Sequence, residues 1–124
     1  KAHLGDVTNL PFDDCSFEYI TCLEVLEHLT DPDAAVRELI RVATDYVIFS
    51  VPSKPDDNPE HLTLFTERSL KDLFGKYDRH IKFNPHRHGF MDIDGRGWCS
   101  IYLVQKYSSG FLLSRHFREP RSPR

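Results

Sequence analysis

Two short runs constrain this chain more than anything else in it. Phe17 to Val25 (FEYITCLEV) and Tyr46 to Val51 (YVIFSV) are mostly apolar, β-branched and aromatic. Runs of this kind predict strands buried on both faces, which requires a sheet covered by helices. The stretch between them supplies a helix. Asp31 can cap its start and Pro32 suits its first turn. Ala35, Val36, Leu39, Ile40 and Ala43 then recur at helical spacing, with Arg37, Glu38 and Arg41 between them. Alternating strands and helices predict an α/β layered sheet.

The rest of the chain extends this pattern. Pro52 stops the second strand, and Ser53 to Glu60 is a loop rich in Pro, Asp and Asn. Thr66 can cap a short helix with Leu70, Leu73 and Phe74 on one face and Gly75 as its stop. His80 to Phe83 and Trp98 to Lys106 read as strands, and Pro85 to Gly97 reads as a loop. Two closing strands without a long helix between them predict an antiparallel pair at one edge. Within the loop, His86-Arg87-His88 and Asp92-Ile93-Asp94-Gly95 read as solvated turns rather than metal sites, since neither has its remaining ligands at a suitable spacing.

Composition narrows the class of function. A chain of 124 residues is one domain at most, and 40% hydrophobic residues allow it a core. The net charge of −3 favours neither nucleic acid nor an acidic membrane as partner. From Tyr107 onward four Arg face one Glu, so 107–124 reads as a basic, flexible tail. Cysteines at 15, 22 and 99 form no CxxC pair and leave an odd count, which fits a reducing, cytoplasmic setting. No apolar run approaches the roughly 20 residues of a membrane span, and no secretory leader is recognisable.

The segment Gly5 to His28 (GDVTNLPFDDCSFEYITCLEVLEH) resembles the second half of the cofactor site in class I S-adenosylmethionine-dependent methyltransferases, of the type 11 kind. The resemblance covers Lys1 to Lys106, through Gly-Asp, Leu-Pro-Phe, Ser-Phe-Glu, LEVLEH and the FSVP strand end. It implies a partial Rossmann-like sheet with parallel strands and a C-terminal antiparallel hairpin, in the order 3-2-1-4-5-7-6. Ligands of such sheets bind off the carboxyl ends of the strands. Gly5, Asp6 and Val7 then form the adenine-binding turn, and Leu23 and Glu24 lie beside the methionine part of the cofactor. The implied reaction is methyl transfer to a small-molecule acceptor. The family's first strand, glycine-rich turn and ribose-holding acid have no counterpart here. The expectation is therefore an N-terminally incomplete methyltransferase domain over 1–106. Without a neighbouring first strand, the 17–25 strand is expected to be an exposed edge through which copies self-associate, and Lys1 to Asp6 are not expected to form a strand.

Glu24, Glu27 and His28 are spaced i, i+3, i+4, so a helical turn would put them on one face. Two carboxylates and an imidazole make a half-site for Mg or Mn, and His61 is a fourth candidate ligand. ExxEH with a later His resembles metal-dependent small-RNA 2'-O-methyltransferases, and ExxEH alone resembles ubiquinone-biosynthesis O-methyltransferases. Several readings stand together. His61, Glu27 and His28 can be catalytic or acceptor-contacting residues; Glu24, Glu27, His28 and His61 can be metal ligands; His61 can be an ordinary loop histidine. A non-catalytic, methyltransferase-like interaction module is the alternative of a different class.

Overall fold

The Asp31 carboxylate accepts the Ala34 amide at 3.0 Å, with Pro32 in the first turn, and this cap opens α1 (Pro32–Val42). The computed structural model describes residues 1–77, 82–91 and 98–106. In chain order the elements are β1 (Phe17–Leu23), a single 3-10 turn (Leu26–His28), α1, β2 (Ala43–Pro52), α2 (Glu67–Gly75), β3 (Lys82–Met91) and β4 (Trp98–Gln105). A reciprocal capping box starts α2: Thr66 Oγ1 accepts the Ser69 amide and Ser69 Oγ accepts the Thr66 amide.

The four strands form one sheet in the order β1-β2-β4-β3. β1 and β2 are parallel, while β4 runs antiparallel to both β2 and β3. The expected closing hairpin is therefore present, with the last strand set between β2 and β3. Residues 1–5 are outside any strand, and the only pairing nearby is the isolated Asp6–Asn9 bridge.

One core joins the sheet to both helices. Ile20, Cys22, Val47, Phe49, Val51, Tyr102 and Val104 share the face against which Val36, Leu39 and Ile40 of α1 and Leu70 and Phe74 of α2 pack. The Phe49 ring stacks on Phe74 at 4.7 Å and on Tyr102 at 5.1 Å. Three expectations are corrected here. β1 is not buried on both faces: Phe17, Tyr19 and Leu23 are exposed and Cys22 is its only buried residue. Both described helices lie on one side, so β1 alternates as a half-covered edge strand does. Ala43 ends the helix and begins β2, and β3 continues through Pro85 to Met91, where a loop was expected. An edge strand tolerates Pro85 because its missing amide is not needed on the open side. The side chains of His86 and His88, all of Asp92 to Gly97 and the 107–124 tail fall outside the described residues.

Arg41 ties the N-terminal segment to α1. Its guanidinium donates to the carbonyls of Leu10 and Phe12, to Asp14 and to both oxygens of Glu38, while Glu38 Oε2 also accepts the Leu10 amide. Arg41 holds the Glu38 carboxyl below the ordinary glutamate range, against the opposing effect of its burial. Lys106 caps the same C-terminal end of α1 by donating to the carbonyls of Ile40 and Ala43. Arg41→Ala should cost about 2–3 kcal/mol in chemical denaturation, because it leaves Glu38 buried with one donor. Glu38 has a depressed folded pKa, so its contribution is complete above its ordinary value of 4.5 and is lost as pH falls through the folded value. Part of the acid sensitivity of the native chain should therefore be missing from the Arg41→Ala variant.

Candidate functional site

Parallel pairing brings the carboxyl ends of β1 and β2 to the same edge, with Leu23 opposite Ser50. The chain leaves β1 through Glu24, whose φ of 54° lies in the left-handed region. Its amide is held by the Ser50 carbonyl at 3.0 Å and the Ser50 hydroxyl at 3.2 Å. A 3-10 turn follows and places Glu27 and His28. The anticipated helical face is thus replaced by one tight turn, with Glu24 outside it.

The chain leaves β2 at Pro52 and enters a loop organised by its own side chains. Asp56 accepts the Asn58 amide, Asn58 accepts the Glu60 amide, and the His61 amide donates to the Asn58 carbonyl. The Leu62 amide then donates to the Glu27 carbonyl at 2.8 Å, which fastens this loop to the 3-10 turn.

The result is a cluster. Glu27, His28 and His61 offer ligand atoms within 4.8 Å of one another, and the two imidazoles meet edge to face at 4.8 Å. Glu27 is completely buried, yet neither carboxylate oxygen has a hydrogen-bond donor. The nearest cation-forming atom is His28 Nε2, at 3.6 Å from Oε1, beyond hydrogen-bond range. Burial pushes the Glu27 carboxyl up to about 8, and the neighbouring carboxylates of Glu24 and Asp56 add to the effect. Glu24 therefore borders the cluster without joining its group of convergent ligand atoms. Cys22, below it in β1, is pushed up to about 11 by burial and then by Glu27, so it stays a neutral thiol.

Asp56 and the Glu60 carbonyl are the participants that sequence reasoning missed. Asp56 Oδ2 lies 2.7 Å from His61 Nδ1, and the Glu60 carbonyl lies 3.1 Å from His28 Nδ1. The available signal was the Asp-Asp-Asn-Pro-Glu-His turn chemistry, which folds Asp56 back onto His61.

Gly5, Asp6 and Val7 occupy a separate turn. Asp6 Oδ1 accepts both the amide and the hydroxyl of Thr8 at 2.8 Å, and these bonds hold its carboxyl below the usual range. The carboxylate is exposed, charged and able to accept from an amine. A Cβ on Gly5 would sit 3.3 Å from Pro11 Cδ, so the turn is closely packed there. Leu23 is exposed at the end of β1.

Residues 1–49 match the family model described as a methyltransferase domain. That match includes Asp6, Glu24, Glu27 and His28 and stops short of Asp56 and His61. The fold resembles that of Rossmann-like methyltransferases of known structure. The YcgJ protein of Bacillus subtilis superimposes with a TM-score of 0.68 at 15% identity, covering 85% of this chain and 70% of that one. A SAM-dependent methyltransferase of Thermotoga maritima, described as a possible histamine N-methyltransferase, superimposes with a TM-score of 0.66 at 18% identity, covering 83% and 62%. Norajmaline N-methyltransferase of Rauvolfia serpentina is 42% identical over 40 residues, which are 32% of this chain and 14% of the relative. The chain thus spans about one seventh of that curated relative and up to 70% of these two structures. No described helix is long and apolar enough to cross a membrane.

Two outcomes follow from the site's strain and charge. Glu24→Gly should stabilise the chain by about 1 kcal/mol, since glycine adopts a positive φ without steric cost and the change removes a carboxylate beside Glu27. In chelator-treated samples, stability should fall as pH rises from about 4.5 toward about 8, because folded Glu27 retains a proton that the unfolded chain releases. Denaturation of Glu27→Gln across the same range should show no such fall.

Proposed function

We propose that this chain contributes to S-adenosylmethionine-dependent methyl transfer to a small-molecule acceptor. The observation that carries the reading is the convergence, in a methyltransferase fold, of Glu27, His28 and His61 at the edge where β1 and β2 end. S-adenosylmethionine, when bound, supplies a methyl group activated on a sulfonium. The residues present fit part of that ligand. Asp6, ionised and exposed, accepts the exocyclic amine of an adenine, and the adjacent Val7 amide is available to a ring nitrogen. Leu23 and Glu24, at the carboxyl end of β1, contribute the surface for the methionine part of the cofactor. A glycine-rich turn for close backbone approach is not among these 124 residues.

Glu27, His28 and His61 bind and orient the acceptor's polar atom, so that its lone pair meets the methyl carbon in line. A small-molecule acceptor agrees with a relative named norajmaline N-methyltransferase and with a structure described as a possible histamine N-methyltransferase. The net charge of −3 adds no support for an RNA acceptor.

Isothermal titration of S-adenosylmethionine and S-adenosylhomocysteine into the folded chain tests the reading. Saturable binding is expected, weakened about tenfold in Asp6→Ala by loss of one charged hydrogen bond. A folded chain that binds neither ligand would overturn the reading for this chain.

A further inference from the structure

We propose that Glu27, His28 and His61 form a binding site for a single divalent transition-metal ion, supported by the Glu60 carbonyl and the Asp56 carboxylate. A carbonyl oxygen can only accept, so the contact between His28 Nδ1 and the Glu60 carbonyl puts the proton on Nδ1. The Asp56 carboxylate oxygen, 2.7 Å from His61 Nδ1, acts as acceptor there, so its contact puts the His61 proton on Nδ1 as well. In each ring Nε2 therefore carries the lone pair. This is how metal-bound histidines are held: the distal N–H donates to a carboxylate or carbonyl, which sets the tautomer and the ring orientation.

The third donor is the carboxylate already described. Leaving both oxygens of a fully buried carboxylate without a donor is costly, and native structures seldom tolerate it without a partner. The spacing also suits a shared ion better than a hydrogen bond. Two ligands at about 2.0–2.2 Å from one tetrahedral ion stand roughly 3.4 Å apart, and Glu27 Oε1 and His28 Nε2 stand 3.6 Å apart. His28 is exposed and His61 half-buried, so the cluster opens to solvent on one side.

The donor set selects the ion. Two imidazole nitrogens and one carboxylate oxygen suit Mn, Fe, Co or Zn, whereas Mg and Ca prefer oxygen throughout. This shifts the sequence-based expectation of Mg or Mn toward transition ions, and it leaves Glu24 beside the site rather than in it. Three protein ligands leave positions open for an oxygen or nitrogen of a small molecule. Assigning those positions to the methyl acceptor rests on the methyl-transfer reading; the ion site itself does not.

Cobalt(II) titration of the chelator-treated 124-residue chain, followed by visible absorption and calorimetry, tests the site. One ion per chain is expected, undisturbed by an equal concentration of Mg. His61→Ala and Glu27→Gln should each weaken binding by more than 100-fold. Asp56→Asn should weaken it about 10- to 100-fold through His61. Glu60→Gln should leave it unchanged, since only the main-chain carbonyl of that residue is used. Failure of the folded chain to bind Co(II), Mn(II) or Zn(II), or equal losses in Glu60→Gln and His61→Ala, would overturn the proposal. A separate S-adenosylmethionine titration keeps the two readings distinct. Ion binding without cofactor binding leaves this site standing, and cofactor binding with no ion removes this site alone.

Discussion

The parallel pairing of β1 and β2 is the constraint on which the rest depends. It puts two chain exits side by side, so that two segments far apart in sequence meet at one edge. Glu24 to His28 follows the first exit and Asp56 to His61 follows the second. The register of Leu23 against Ser50 sets the height at which they meet, and Ser50 holds the Glu24 amide there through both its carbonyl and its hydroxyl. α1 makes this possible by carrying the chain from the carboxyl end of β1 back over one face to the start of β2. Its start is capped by Asp31, and its C-terminal end is held by Arg41, through Glu38 and the Leu10–Asp14 segment, and by Lys106.

The chemistry of the site comes from an imbalance. The cluster holds a buried carboxylate without a donor, a left-handed glutamate and a second carboxylate nearby, and each of these lowers stability locally. The core opposes them with the stacked rings of Phe74, Phe49 and Tyr102 and with the buried aliphatic residues of α1. Local strain of this kind, maintained by a well-packed scaffold, is characteristic of sites that hold a ligand.

Much of the fold was readable because its signals are local. Asp31-Pro32 and Thr66 mark helix starts through hydrogen bonds that span three residues. The apolar runs mark β1 and β2 as strands, and the closing hairpin follows from two strands without a helix between them. The errors share one cause. β1 has the composition of a strand covered on both sides, but its actual neighbours decide its exposure. Periodicity could not report that both described helices occupy the same face. Pro85 suggested a loop, yet an edge strand accommodates it.

The same division applies to the site. By itself, the sequence determined which groups were available: a Gly-Asp turn, two glutamates and a histidine in LEVLEH, and a histidine beyond the second strand. It also determined the sheet in which they sit, since strand and helix signals depend on residues close together in the chain. The tertiary structure alone decided that Glu27 is buried without a donor, that Glu24 stands outside the turn, and that Asp56 and the Glu60 carbonyl fix the two imidazole tautomers. Those properties depend on desolvation and on angstrom-scale distances between segments far apart in sequence, and no local pattern encodes either.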